Sequence, residues 1–129
     1  MLLAGTMSAT QTSQADSLQK RFIDFGAEIT GLVQKLPRSP AGTHYARQML
    51  RSGTAAAPNY AEARSAESRA DFIHKMRIVL KELSETAVWI RMAVQSGLFS
   101  ADATSVIQTE AEELCRIVAA SIRTAKSPK

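Results

Sequence analysis

The sequence has little of several residue types, and each shortage excludes a class of protein. Its 129 residues contain one cysteine, Cys115, so no disulfide framework can form within the chain. Two histidines and one cysteine are too few for a zinc site of the usual kind. No apolar run approaches the roughly 20 residues of a membrane helix. We therefore expect a cytoplasmic protein that has no metal or cofactor and does not contact a membrane.

Turn-forming residues are also scarce, with six glycines and four prolines, which is too few for many strands. Hydrophobic residues make up 45% of the chain and charged residues 22%, as in ordinary globular proteins. The length suits one domain. We expect a disordered leader over residues 1–14, a folded domain over 15–126 and a loose tail over 127–129.

Apolar residues recur at steps of three and four along most of the chain, which predicts long helices. The first helix is expected to begin at Asp16 or Ser17 and to end before Pro37. The third begins after Ser68 and ends before Gly97, and the fourth begins near Ser100. The stripes are Leu18, Phe22, Phe25, Ile29, Leu32, Leu36; Phe72, Met76, Val79, Leu83, Ala87, Ile90, Val94; and Ala103, Ile107, Leu114, Val118, Ile122. Short connections then predict an all-α, antiparallel up-down-up-down four-helix bundle.

The second helix is the irregular one. It begins between Pro40 and Thr43, and its apolar side is Tyr45, Met49, Ala56, Tyr60 and Ala63. The small residues at 52–57 indicate either a loosely packed helix or a place where another backbone comes close. Pro58 lacks an N–H and crowds the preceding turn, so it is expected to kink or break this helix.

The third helix carries a second ordered face, opposite its apolar seam. Ile78 and Trp89 lie there among complementary charges, whereas an outer helix face normally carries only solvated charge. Two interpretations stay open: a solvated face with two stray apolar groups, or a face covered by a neighbouring helix or another subunit. The members of this face are Asp71, Lys75, Ile78, Glu82, Glu85 and Trp89.

The net charge is +4, and the basic residues are unevenly distributed. Two stretches contain cations without any carboxylate, one between Ile29 and Ala61 and one after Leu114. Arg47 and Arg51 can pair with Glu82 or Glu85, or they can face a phosphate. The candidate nucleic-acid contacts are Lys35, Arg38, Arg47, Arg51, Arg116, Arg123 and Lys126.

No constellation for catalysis stands out. Glu110 and Glu113 share a helix face, but no histidine accompanies them at ligand spacing, so a solvated charge run is the better interpretation. Cys115 lies beside an apolar stripe without a neighbouring histidine, which favours an inert thiol. We expect a protein that is not an enzyme.

Several ordered segments resemble one protein family. They are Gln48–Thr54, Asn59–Ala63, Ser68–Lys75, Leu80–Thr86 with Trp89, and Gly97–Leu98. This set is similar to the four-helix-bundle proteins linked to intervening sequences of bacterial 23S ribosomal RNA genes. The family is related to an accessory protein of diversity-generating retroelements, a basic pentamer that works with a reverse transcriptase and its RNA. In this family a small residue usually stands where this chain has Pro58.

The resemblance implies a bundle that assembles with copies of itself into a ring, expected to be a homopentamer, with no known catalytic residues. Several residues are then expected at an oligomer interface or in a buried polar network. They are Arg51, Asn59, Glu62, Asp71, Lys75, Ile78, Glu82, Glu85 and Trp89.

Two functions follow from these observations. The first is a non-enzymatic homo-oligomeric module that binds nucleic acid, most readily structured RNA but also DNA, through its basic surface. The alternative is a scaffold or adaptor for a partner protein that makes no direct contact with nucleic acid.

Overall fold

The computed structural model describes residues 8–127, and all regular secondary structure within this range is helical. The helices are α1 (Ala9–Val33), α2 (Pro40–Gly53), α3 (Ala56–Arg64), α4 (Arg69–Gln95) and α5 (Ala101–Lys126). The predicted second helix corresponds to α2 and α3 together, which form one leg of the bundle. α1 and α4 each contact α2, α3 and α5, so legs that are consecutive in the chain are neighbours in space. The predicted antiparallel up-down-up-down bundle is confirmed.

Serine side chains begin four of the helices. Ser39, Ser68 and Ser100 each accept a hydrogen bond from the backbone N–H three residues later, at 3.0–3.1 Å. Each bond satisfies one of the N–H groups that a helix start leaves without a partner. At the other end of α4, Gly97 adopts a φ of +80°, the left-handed conformation expected of a glycine that ends a helix.

The first helix begins earlier than predicted. Ser8 caps it, and the Ser8 and Gln11 side chains exchange hydrogen bonds with each other's backbone N–H. Asp16 does not cap α1, and its carboxylate instead pairs with Arg64 of α3 at 2.8 Å. The predicted start at Asp16 or Ser17 is therefore wrong, because the first turns of α1 are polar and carry no apolar stripe. Residues 9–14 of the predicted leader are helical, and its residues 1–7, like 128 and 129, lie outside the described range.

The second leg breaks on the N-terminal side of Pro58. α2 ends at Gly53 and α3 begins at Ala56, so the interruption falls at Thr54 and Ala55. A proline ring clashes with the carbonyl four residues earlier, which here is Thr54, and it cannot donate to that carbonyl. The predicted break is confirmed, and its position follows from this clash.

The apolar stripes meet in one core. Phe22, Phe25, Met76 and Leu83 are fully buried, as are most other stripe members. Leu18, Tyr45 and Val94 are half-buried at its margin. Ala103 departs from the prediction: it is exposed, and the next residue, Thr104, is buried instead. No helix within residues 8–127 is long and apolar enough to cross a membrane.

The small residues at 52–57 lie where α1 comes close to α2. A Cβ placed on Gly26 of α1 would lie 3.6 Å from the Gly53 carbonyl oxygen. A Cβ placed on Gly53 would lie 2.7 Å from Cγ2 of Ile29, closer than real Cβ atoms pack. Of the two interpretations of this stretch, close approach of another backbone is the one observed.

Replacing Gly53 with alanine should destabilise the fold. The new methyl group collides with Ile29, which is fully buried and cannot move freely. We expect the free energy of unfolding to fall by about 1–3 kcal/mol, the usual cost of overpacking a core. Urea denaturation followed by far-UV circular dichroism measures this change.

The matched control is Gly31→Ala in α1. A Cβ at Gly31 meets nothing within 4 Å, so only the helix propensity changes. This control should stabilise the protein by about 0.5–1 kcal/mol. Equal effects of the two substitutions would contradict the close approach at Gly53.

Candidate nucleic-acid interface

The polar side of α4 that faces α2 and α3 is neutralised within the chain. The Arg51 guanidinium donates to Glu82 at 3.2 Å and also contacts the carboxylate of Glu85. Where α3 contacts α4, Lys75 Nζ of α4 donates to a carboxylate oxygen of Glu62 of α3 at 2.7 Å. These pairs join α2 and α3 to α4, so their charges are directed at each other.

Trp89 belongs to the same side and lies under α2. Its ring centroid is 5.4 Å from that of His44 and 5.5 Å from that of Tyr45. Its indole Nε1–H donates to Glu85 at 3.0 Å. A neighbouring helix of the same chain therefore covers much of the tryptophan. Ile78, which was predicted on the same face, is half-buried.

The remaining predicted network residues make local contacts. The Asn59 side-chain amide donates to the Ala55 carbonyl at 2.8 Å, inside the break between α2 and α3. Asp71 lies in the first turn of α4, where its negative charge interacts favourably with the positive end of the helix dipole. Whether this set also contacts a second subunit stays a prediction.

Arg51 and Arg47 differ in how their charge is used. Hydrogen bonding to Glu85, with a smaller contribution from Glu82, raises the pKa of Arg51. Its charge is therefore shared with two carboxylates. Arg47 is exposed and takes part in no ion pair among the described residues.

The structure does not bring the sequence-predicted nucleic-acid contacts together. Lys35 and Arg38 lie at the end of the bundle where α1 turns into α2. Lys35 and Ala103 line the same groove, and Arg123 is 20 residues further along α5. At 1.5 Å per residue, Lys35 and Arg38 are therefore roughly 30 Å from Arg123 along the bundle.

Ion pairing within residues 8–127 leaves more cations than carboxylates without a charged partner. The cations outside ion pairs are Lys35, Arg38, Arg47, Arg69, Arg77, Lys81, Arg91, Arg116, Arg123 and Lys126. The corresponding carboxylates are Glu28, Glu67, Asp71, Asp102 and Glu112. The surplus charge is basic, and its position decides where an anion can bind.

Part of this surplus collects where α4 and α5 pack together. Ser84 of α4 faces Cys115 of α5, with 3.6 Å between Oγ and Sγ. Because the two helices are antiparallel, residues before Ser84 lie level with residues after Cys115. Arg77 is seven residues before Ser84 and Arg123 is eight after Cys115, which places them within about 2 Å of one level.

The same register places two more cations beside them. Lys81 and Arg116 are three residues before Ser84 and one after Cys115, so they are also nearly level. Lys126 follows Cys115 by about three helical turns and therefore points to the same side of α5. We call Arg77, Lys81, Arg116, Arg123 and Lys126 the basic face; all five are exposed.

Carboxylates near the basic face are few or have partners. Glu113 of α5 is directed to the α1 side, where Arg21 binds it and Glu110 at 2.6 and 2.7 Å. Hydrogen bonds to these two carboxylates raise the pKa of Arg21. Glu112 lies one turn before Arg116 and accepts a hydrogen bond from Gln108. The carboxylates nearest the basic face are therefore Glu112 and Glu85, and Glu85 is shared between Lys81 and its partner Arg51.

Sequence reasoning missed Arg77 and Lys81. They are i,i+4 neighbours on α4, but acidic residues stand close to them in the chain, so the acid-free stretches did not include them. Only the pairing of α4 with α5 brings them next to the second half of α5. A helical wheel of α4 would have shown their shared side but not the adjacent helix.

Other chemistry has little support in the described part of the chain. Between residues 8 and 127, no group of three or more His, Cys, Asp or Glu side chains is arranged to hold a metal ion. Cys115 is half-buried, and burial raises the pKa of its thiol. A thiol with a raised pKa is a poor nucleophile at neutral pH.

Comparison with known proteins agrees with this architecture. The family model described as 23S rRNA-intervening sequence protein matches residues 16–120, which is most of the bundle. The chain belongs to this family. The match begins inside α1 and ends inside α5, so it includes every helix. None of the curated proteins matches the chain.

A solved structure shares the fold of this 23S rRNA-intervening sequence family member. It is a protein of unknown function from the S23 ribosomal protein family of Bacteroides thetaiotaomicron. The two chains are 28% identical and superpose with a TM-score of 0.78. The similarity covers 84% of this chain and 97% of the Bacteroides protein.

Protonation of Glu85 should weaken the fold. The Trp89 and Arg51 hydrogen bonds lower the pKa of Glu85 below its ordinary value. A carboxyl group whose pKa is lower in the folded state adds stability above its unfolded pKa, about 4.3 for glutamate, and loses that contribution as the pH falls through its folded pKa. Glu85→Gln should therefore destabilise the protein at pH 7 and have much less effect at pH 3.

Urea denaturation at the two pH values measures this difference. We expect an effect of about 1 kcal/mol or less at pH 7, because Arg51 is half-exposed and solvent screens the pair. Glu112→Gln is the control, since Glu112 has no cationic partner among residues 8–127. A Glu85→Gln effect that is the same at both pH values would contradict the assignment.

Proposed function

We propose that this protein is a non-catalytic module that assembles with copies of itself, as a homopentamer, and binds structured RNA through the basic face. The single observation that carries the proposal is the collection of five exposed cations on one side of α4 and α5. Among the described residues none of them is in an ion pair. An RNA phosphate is a chemically matched partner for such a surface.

The shape of the basic face suits a nucleic-acid backbone. Arg116 and Lys126 are separated by ten residues of α5, so the face is roughly 15 Å long. Such a length spans several successive phosphates of one strand. The residues are long and flexible, which favours recognition of backbone and shape over reading of base edges.

Self-assembly would multiply the weak attraction of one copy. Because each chain has a net charge of +4, a ring of five chains has a formal charge of about +20. Several basic faces on one rigid ring can engage one folded RNA together, which raises its apparent affinity. The names of the family and of the similar Bacteroides protein support an RNA partner, since they refer to a 23S rRNA-intervening sequence and to an S23 ribosomal protein family.

The test is fluorescence anisotropy of a labelled RNA hairpin at about 50 and about 200 mM salt, because phosphate contacts weaken steeply with salt. The test variant is the double substitution Arg77→Gln with Arg123→Gln. If each arginine contacts one phosphate, the slope of log affinity against log salt should become shallower by about two, as for duplex DNA. A DNA duplex of the same sequence shows whether RNA is preferred.

The matched control is Arg38→Gln with Arg47→Gln, which removes the same charge at exposed positions outside the basic face. We expect this control to keep RNA affinity within about twofold at the lower salt. Equal losses in both variants, or no loss in either, would contradict the basic face as the binding surface. Failure of the folded wild-type protein to bind RNA or DNA would instead favour the protein-scaffold alternative.

A further inference from the structure

Large apolar side chains remain exposed at a few places in the described chain. They are Ile23, Leu50, Val88, Met92 and Val106, with exposed fractions between 37% and 77%. Three of them form two surfaces on different sides of the bundle. The two surfaces lie at the same height along the bundle, and a carboxylate in one is matched by a cation in the other.

The first surface is a groove between α1 and α5, the adjoining legs that pack least tightly against each other. Val106 stands in it with 77% of its surface exposed, the largest fraction among the apolar residues named above. Gly31 lies on the α1 side, where an added Cβ would meet nothing within 4 Å. The carboxylates of Glu28 and Glu110 line the groove, and Lys35 lines its end near Ala103. We call this surface the α1–α5 groove.

The second surface is a ridge on the outside of α4. Val88 and Met92 are one turn apart, 47% and 37% exposed, and they form an apolar i,i+4 pair. Arg91 lies beside Met92, is exposed, and forms no ion pair within residues 8–127. Trp89 is turned away from the ridge and is covered by α2. We call Val88, Arg91 and Met92 the α4 ridge.

The α4 ridge and the α1–α5 groove lie at the same height along the bundle. The contact between Ser84 and Cys115 sets the register of α4 against α5. Counting eight residues on from Ser84 and eight back from Cys115 places Met92 level with Ile107, next to Val106. Copies in a ring whose axis runs along the bundle share one height, so their contacting surfaces must be level.

Near their apolar residues, the groove and the ridge carry one charge each of opposite sign, Glu28 and Arg91. Glu28 forms no ion pair among the described residues, and neither does Arg91. The pair formed by Arg21 with Glu110 and Glu113 links α1 to α5 and aligns Glu28 with the part of α5 around Ser105. Combined with the register of α4, this places Arg91 within about one helical turn of the height of Glu28.

We infer that the α1–α5 groove of one copy receives the α4 ridge of the next copy, with Val106 against Val88 and Met92 and with Glu28 facing Arg91. The two surfaces differ, so the contact is head-to-tail and continues from copy to copy. Helix α5 lies next to both surfaces, so the two surfaces do not point in opposite directions. Each copy is therefore rotated relative to the one before it, and the series can close into a ring. This inference rests on the proposed self-assembly and identifies the surfaces that meet.

Native mass of single variants tests the contact. Val106→Asp places a charge in the groove and Val88→Asp places one on the ridge. Each should reduce the assembly to the 14.0 kDa single chain while far-UV circular dichroism keeps its helical signal. Ile23→Asp is the control, because Ile23 is 55% exposed in α1 and lies in neither surface. It should leave the assembly intact.

Mixing the two variants separates a head-to-tail contact from other arrangements. The Val88→Asp protein keeps its groove and the Val106→Asp protein keeps its ridge. An equimolar mixture should therefore form a complex of two chains that cannot grow further. A mixture that remains at the mass of one chain would overturn the inference.

Charge reversal gives a second readout. Glu28→Arg alone and Arg91→Glu alone should each reduce assembly, and the double variant should restore it. A wild-type assembly that none of these substitutions disturbs would contradict the two surfaces while leaving self-assembly standing. A monomeric wild-type protein would contradict both. RNA binding is measured separately, at residues that these variants do not change.

Discussion

Three consecutive residues of α2 hold its leg against both neighbouring legs, and the rest of the bundle depends on that junction. Gly53 lets α1 approach until Ile29 fills the space where a Cβ would be. Ser52 is fully buried and accepts a hydrogen bond of 2.7 Å from Thr86 of α4. Arg51 reaches outward to two carboxylates of α4. Because successive helical residues point about 100° apart, one short segment contacts both neighbours.

This junction also explains how the surface charge is divided. Arg51 of α2 pairs with Glu82 and Glu85 of α4, and Lys75 of α4 pairs with Glu62 of α3. Charges on the other side of α4 have no such partners, since α5 presents cations there. Ion pairing between legs thus leaves one side of the molecule basic, and the proposal of RNA binding depends on this asymmetry more than on the net charge.

The apolar surface is divided in a similar way. Most of the helical stripes are buried, but α1 packs only lightly on α5, and that seam stays open around Val106. A monomer gains nothing from exposing this valine together with Val88 and Met92 at the same height. A contact between copies would bury all three, which is the physical basis of the proposed self-assembly. Arg77 and Lys81 of the basic face lie about two to three helical turns before Val88, nearer the other end of α4.

Much of the fold could be predicted from local patterns. The stripe from Phe22 to Ile29 and the seam from Phe72 to Ile90 predicted both the helices and the faces that they bury, because burial of one helix face imposes a period of 3.6 residues. Ser68, Ser100 and Gly97 marked helix ends because capping is a local interaction. Pro58 predicted the break for the same reason. The start of α1 was not recognisable in this way, because its exposed polar turns carry no periodic signal.

The candidate site depended on which helices become neighbours, and no local pattern contains that information. The sequence left Arg51 as a potential phosphate contact, whereas the packing of α2 on α4 places it against Glu82 and Glu85. Arg77 and Lys81 stand among acids in the chain and next to Arg123 and Arg116 in space. Trp89 suggested an interface, but α2 of its own chain covers it. The sequence by itself determined the helices and their buried faces, because those follow from contacts a few residues apart. Only the tertiary structure decided which charges are paired and which surfaces stay open, because those depend on the register between helices.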